Sequence, residues 1–579
     1  DGDVEINGGT TNLILGASTI HGDLSLRSGG TITDDGIATV RGTLTATTNA
    51  SASVITLDEL AVTGAFTLAP NGTGAVTIVN AAGLILAAST MGGTFSGTAT
   101  AGNITQTGAL DIEGVTTLVT LGQGADIDLA ANGTGNAFTG KLLITTTETS
   151  NANDAYATIH GGTTDLKIGL STIEGNLTLL SGGEITDDGI ATVRGTLTAT
   201  TNASNRIITL NQLAVTGALT LAPNGTGAVT IVNAAGLNLA ASTMGGDFSG
   251  TATTGDISDS GALTITGAAT FITATNNRSI ILDQNNVFTT TVTMQAGFNS
   301  NAGSNTFNDI TFVDSAAVKL HSAAASAGDL IIDASTDLDV DGSLSITATT
   351  GNITQGSELA VVLTSTFTTS ASNGTITLND ADNTFTGAVA LNTSGSSGNA
   401  TIKNDRALLL AASSVGGALS ATATAGNITQ NGALAITGTS TLVTSANHGT
   451  MTLTNTGNAF TGKLLITTND TGSETDGDVE IDGGTTNLIV GLSTIDGDLT
   501  LRSGGTITDD GIATVRGTLT ATTDAGGSAI TLNQLAVTGA FTLAPDDTGA
   551  VTIVNAAGLN LAASTMGGTF SGTATTGNI

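Results

Sequence analysis

The sequence predicts an all-β fold, a parallel β-solenoid in which short strands and tight turns wind into stacked coils. Three observations carry that expectation. Long self-similar segments recur at fixed offsets, brief β-prone runs are bounded by Gly or Asn, and the prolines are confined to one slot.

The repeats come first, because a fixed period is the mark of a solenoid. Gly8-Gly9-Thr10-Thr11 returns at Gly161 and Gly483, and ITDDGIATVRGTLTATT returns from Ile32 to Ile185 and Ile507, at the same two offsets. A shorter period lies beneath. NAFTG at Asn136 and Asn458, NTFTG at Asn383 and the degenerate LAVTG at Leu60, Leu213 and Leu535 mostly follow one another at intervals of about 76 residues. In the middle, Asn286 and Asn305 both begin an N-x-F segment, a spacing of only about 19 residues. Taking about 19 residues as one coil predicts units of about 76 residues built from four coils, beginning near 60, 136, 213, 305, 383, 458 and 535. It also predicts one extra coil near 286–304 within a single continuous solenoid over 1–579. At ~4.8 Å per coil the chain would make about 30 coils and a rod of about 140 Å.

The local pattern agrees. Ala75-Val76-Thr77-Ile78-Val79 and Leu142-Leu143-Ile144-Thr145 are short β-prone runs, and Asp23-Leu24-Ser25-Leu26 alternates with period two. No stretch holds a capped 3.6-residue apolar period, so no helix is expected. Pro70, Pro223 and Pro545 share one slot and open a PNG or PDD turn, where a fixed φ followed by Asn, Asp or Gly is favoured. Phe138, Phe288, Phe307, Phe385 and Phe460 of the N-x-F slots are expected to stack inside the narrow core.

Composition narrows the function. The chain is 39% hydrophobic but only 3% aromatic, with 79 Gly and no Cys, which suits many β-branched strands and tight turns and excludes a disulfide framework. Thirteen basic residues against 47 acidic ones give a net charge of −34. A nucleic-acid partner is therefore not expected, since phosphate binding needs a basic stripe, and anionic membranes are disfavoured likewise. No signal peptide or transmembrane helix is visible. The chain opens at Asp1 inside the pattern, and Ile579 matches Ile104 within a unit. The expectation is an array that continues in both directions, or chains that join end to end through uncapped coils.

The segments Asn383 to Leu391 and Asn458 to Ile466, together with GNITQNGALAITGTSTL at 426–442, resemble the filamentous-haemagglutinin-like repeats of giant Gram-negative surface proteins. That resemblance implies a right-handed parallel β-helix, export to the cell surface, and a role in adhesion, biofilm or filament formation. The family's amino-terminal secretion domain has no counterpart in this sequence.

Candidate sites can be judged against their own copies. Asp34-Asp35, Asp187-Asp188 and Asp509-Asp510 could serve as an acid/base pair of a polysaccharide-cleaving β-helix, but the related turn reads Gln106-Thr107, Asp259-Ser260 and Gln430-Asn431 elsewhere. The reading is a polar turn. Asp476, Asp478, Glu480 and Asp482 alternate with smaller or apolar residues, which places four carboxylates on one strand face and makes them the calcium candidates. Their first copy reads Asp1, Asp3, Glu5, Asn7, and the second Asp154, Tyr156, Thr158, His160, which favours a solvated outer face. His21 and His160 are replaced in other copies and are read as exposed polar positions. Arg41, Arg194 and Arg516 hold one slot throughout, where an outward ion pair with a neighbouring coil is expected.

Together these readings point to an extracellular, acidic, structural or adhesive rod or filament subunit of a bacterial cell surface, with no catalysis, no resident cofactor and no metal ligands. Self-association into fibres is expected, with a host-cell, glycan or matrix surface as the other partner class. The alternatives are a calcium-stiffened binding module and a carbohydrate-active β-helix enzyme.

Overall fold

The computed structural model describes residues 2–149, 154–275, 278–290, 292–296, 310–314, 318–320, 338–340, 343–348, 351–356, 358–472 and 476–579. Among these residues the chain is strand and turn, apart from one 3-10 turn at Gly133–Gly135. Parallel strands stack into a β-solenoid of about 24 turns. It divides into two compact units, Asp1–Arg278 and Ser279–Ile579.

The alternation read in the sequence is the alternation of burial. In Leu24–Ser28 the side chains of Leu24, Leu26 and Ser28 point inward and those between them outward, and Val76–Asn80 and Val551–Asn555 repeat the pattern. Each inward Leu, Ile or Val removed from water contributes roughly 1.5–3 kcal/mol, and each lies over its equivalent one coil away. Phe138, Phe288, Phe385 and Phe460 are buried as expected. Phe288 lies 5.2 Å from Phe312 between ring centres, and Phe385 lies 6.0 Å from Phe367.

A coil consists of one long strand and a pair of short ones. Leu24–Ser28 is followed by Ile32–Asp34 and Ala38–Val40, and the next coil repeats this with Leu44–Thr48 and the bent strand Ile55–Val62. The expected coil length occurs on steps such as Leu13↔Ile32 and Val76↔Phe95. Other steps are longer, by one residue at Leu24↔Leu44, by more at Leu44↔Phe66 and Ile32↔Ile55, and by over half a coil at Ile127↔Ala157. The reason is that strand registers are fixed while corner loops vary in length.

The repeat unit is not four coils but three and a half. Each unit closes on a long strand, and the next opens on another, so Ala65–Ala69 runs into Val76–Asn80 with no short pair between them. Val76–Asn80 then stacks on the bent pair Ile55–Val62, while the short strand Leu84–Leu86 stacks on the long Ala65–Ala69. Long and split sides have exchanged places. In the second compact unit Val389–Ser394 runs into Ala400–Asn404 in the same way, and the short strand Leu408–Leu410 stacks on Val389–Ser394. Two successive units restore the arrangement, and the near-identical copies at Ile32 and Ile185 lie two units apart.

Pro70, Pro223 and Pro545 each sit in the turn between two consecutive long strands. The proline slot therefore marks three of the seams, while the turn from Val389–Ser394 to Ala400–Asn404 uses Gly and Ser instead. Asn286 and Phe288 lie in the strand Ile280–Phe288, whereas Asn305, Phe307 and residues 297–304 of the expected extra coil lie outside the described residues.

Candidate functional site

The Asp-Asp pairs are built into the corners. Asp34 ends a short strand and accepts hydrogen bonds from the backbone N–H groups of Asp58 and Glu59 on the next coil, at 3.1 and 2.9 Å. Asp187 and Asp509 accept from Gln212 N and Gln534 N, both at 2.7 Å. Burial pushes the Asp34 and Asp187 carboxyls above the usual range, and the neighbouring Asp58 adds to the effect at Asp34. The second carboxylate of each pair turns outward, Asp188 to Lys141 at 3.5 Å and Asp510 to Lys463 at 3.2 Å. One carboxylate holds backbone and the other is exposed, meeting a lysine two coils away at Asp188 and Asp510, so the pair does not converge on a shared space.

The structure does not bring the four calcium candidates together. Asp476 lies 2.8 Å from His448 Nδ1, and Asp478 accepts from Asp498 N at 2.8 Å. Glu480 is exposed, but Asp482 is buried, which breaks the single carboxylate face expected from alternation. The cause is local. Asp482 Oδ1 accepts the N–H of Gly484 at 2.8 Å and closes the turn. His160, the matching residue of the second copy, is likewise buried and not exposed: its Nδ1 accepts from Gly162 N at 3.1 Å, and burial lowers its pKa. Asn7 does the same for Gly9 at 2.9 Å. The Gly-Gly-Thr-Thr motif follows from this turn. Gly162 and Gly484 have φ of +66° and +63°, and a Cβ at either would collide with the carbonyl oxygen of Asn136 or Asn458. Among the described residues no group of three or more His, Asp or Glu is placed to hold a metal ion.

The arginine slot forms ion pairs between coils at two of its three copies. Arg194 lies 3.2 Å from Glu174, and Arg516 lies 3.6 Å from Asp496 and 3.7 Å from Asp470. Asp470 has no exposed side-chain surface. Its second copy is Glu148, also buried, whose carboxyl raises the pKa of Asp154 beside it. Nothing in the composition of these loops signals that a carboxylate turns inward.

A second set of polar residues escaped sequence reasoning altogether. Asn80, Asn233, Asn404 and Asn555 close the first long strand after a seam and are fully buried. Asn404 Oδ1 accepts from Phe385 N at 2.8 Å, while Nδ2 donates to Phe385 O at 3.0 Å and Ala407 O at 2.7 Å. The Asn of the N-x-F slot is buried too. Asn136 and Gln106 exchange amide hydrogen bonds at 3.0 and 3.1 Å, and Asn136 also donates to His160 O at 2.9 Å, spanning three coils. Gln355–Asn383 and Gln430–Asn458 repeat the exchange. The only available signal was the retention of Asn at these slots in an otherwise apolar run.

A groove of about 290 Å³ lies beside the first seam and is lined by Ile37, Leu60, Val79 and Ala81 with Asp58 and Glu59 at its edge. No helix among the described residues is long and apolar enough to cross a membrane.

No curated protein and no solved structure matches the chain. A family model described as Repeats of unknown function (DUF5649) matches it seven times, at 1–72, 73–145, 153–225, 226–295, 308–392, 397–467 and 476–544. Several of these boundaries fall at the turns where one long strand follows another, for example 72/73 between Ala69 and Val76. The family repeat and the three-and-a-half-coil unit are thus the same object, and the chain belongs to the DUF5649 repeat family.

Proposed function

We propose that this chain is a structural and adhesive element of a bacterial cell surface, acting outside the cell and without catalysis. The observation that supports this reading is how the candidate polar residues are used. The Asp pairs, the seam carboxylates, the arginine slot and the buried amides bond one coil to the next, and they recur from unit to unit instead of meeting once in a cleft. Stability built from nearest-neighbour stacking grows by addition of units, which suits a part whose work is reach and presentation.

Displaying the chain on non-adherent bacterial cells tests the proposal. Increased attachment to glycan, matrix or host-cell surfaces is the expected result. Fractionation of native cells that places the protein in the cytoplasm would overturn it. A polysaccharide-cleaving activity lost on changing Asp187 and Asp188 would replace it with an enzyme. A calcium-stiffened module is the second reading, drawn from the outward Asp478 and Glu480, and melting with and without EDTA decides it.

A further inference from the structure

Five of the exposed large aliphatic side chains stand at one kind of corner, where the two short strands of a coil meet. Leu170 and Ile190 are 65% and 52% exposed on successive coils, Leu492 and Ile512 are 68% and 54% exposed, and Ile37 is 63% exposed. The matching residue before Ile37 is Ala17.

The three corners differ in charge, and the difference follows the apolar residue. Beside Ile37 the next coil presents exposed Asp58 and Glu59. Beside Ile190 and Ile512 it presents exposed Asn211-Gln212 and Asn533-Gln534. At these two corners the remaining carboxylates are already engaged: Asp187 and Asp509 by backbone N–H groups, Asp188 and Asp510 by Lys141 and Lys463. Leucine thus occurs with a neutral, compensated rim, and alanine with an acidic one. The apolar residues lining the groove at the first corner recur as Ile190, Leu213, Val232 and Ala234 at the second.

A chain of net charge −34 repels its own copies over most of its surface. The leucine-bearing corners are places where that repulsion is locally removed and apolar surface is offered. We propose that the corners at Leu170–Ile190 and Leu492–Ile512 are docking points for a second copy of this chain, the exposed leucine of each copy packing against the exposed isoleucine of the other. Such a contact is self-complementary, so each pairing of corners forms twice across a two-fold axis. The inference rests on the structural reading above and supplies its partner.

Sedimentation velocity of the full chain tests it. The wild type is expected to associate, more strongly as added salt screens the charge. Leu170→Asp with Leu492→Asp should weaken association at least ~10-fold, given what burying each leucine contributes. Both positions are largely exposed, so an unchanged far-UV circular dichroism spectrum is expected and separates lost docking from lost fold. Ala17→Asp should leave association unaltered, and Ala17→Leu with Asp58→Asn and Glu59→Gln should strengthen it. A wild type that stays monomeric at about 100 µM in high salt overturns the inference, as does a double variant that associates like the wild type, which would place the contact elsewhere, for example end to end. If the monomeric chain still attaches to surfaces, the docking inference fails alone and the structural reading stands.

Discussion

Asn404→Ala is the most direct test of how the seams are closed. The side chain is fully buried and makes three hydrogen bonds, two to the backbone of Phe385 and one to the carbonyl of Ala407. Alanine removes all three and leaves the Phe385 N–H and two carbonyls facing a space without donors or acceptors. An orphaned buried backbone group costs about 1–3 kcal/mol, so the local loss is about 3–5 kcal/mol once partial relaxation is allowed. In a quasi-one-dimensional stack that loss stays near its origin, and a global melt would understate it. The chain also lacks Trp and has one Tyr, which makes intrinsic fluorescence a poor probe. Hydrogen exchange around Phe385 is the suitable assay. It should accelerate by roughly a hundredfold to a few thousandfold, by the tenfold per ~1.4 kcal/mol that links opening to exchange. Asn399→Ala is the control: this asparagine bonds Ala418 N at 2.8 Å from an exposed position, and its loss should cost under about 1 kcal/mol. Equal acceleration in both variants, or less than about threefold in Asn404→Ala, would refute the view that the buried amide closes the seam.

Arg516→Ala should destabilise the second compact unit by about 2–4 kcal/mol in urea titrations, because it strips a cation from the buried Asp470; Asp470→Asn in the same background should recover much of that loss. Gly162→Ala should disrupt the turn after His160, read as faster proteolysis near that seam, since the new Cβ meets the Asn136 carbonyl and φ is positive. His160 has a lowered pKa, so its contribution is present above the usual histidine value and is lost as pH falls through the lower folded value. His160→Asn, the residue type of the first copy, should flatten that acid loss in thermal melts. Asp187 is raised, so its effect has the opposite sign: the wild type is relatively stabilised below the ordinary Asp pKa and loses that as pH rises through the folded value. Asp187→Asn keeps an acceptor for Gln212 N and should be at least as stable as the wild type at pH 7, with that advantage gone at acid pH.

Much of the fold was legible because burial alternates as the residues do. Leu24, Leu26 and Ser28 point inward as period two requires, and the proline slot marked a corner. The coil length was legible only in part, on steps such as Leu13↔Ile32 and Val76↔Phe95. The closely spaced N-x-F segments at Asn286 and Asn305 suggested one value, but corner loops differ in length, and only strand pairing shows that Leu44 lies under Phe66 and Ile127 under Ala157. The candidate site divides along the same line. The arginine slot was readable through retention and charge. The inward turn of Asp482 and His160 was not, because alternation assigns them to the outer face and only the tight turn at Gly484 and Gly162 draws them in. The buried asparagines were hidden for a related reason: in a Thr- and Asn-rich chain, one inward amide resembles its many exposed neighbours.

The seams between unlike units bear on the spacing of the copies. A single inserted unit would place two units of one type side by side, and a seam bond such as that from Val215 N to Asn233 Oδ1 would meet a different partner. Insertion of two units preserves the alternation. Copies that have stayed nearly identical should therefore be separated by even numbers of units. The ITDDGIATV segments fall in the first, third and seventh family matches, at Ile32, Ile185 and Ile507. The VTIVN strands after the proline seams fall at Val76, Val229 and Val551, in the second and fourth matches and after the seventh. Each set keeps to one parity, which is what seams that join unlike units impose on duplication.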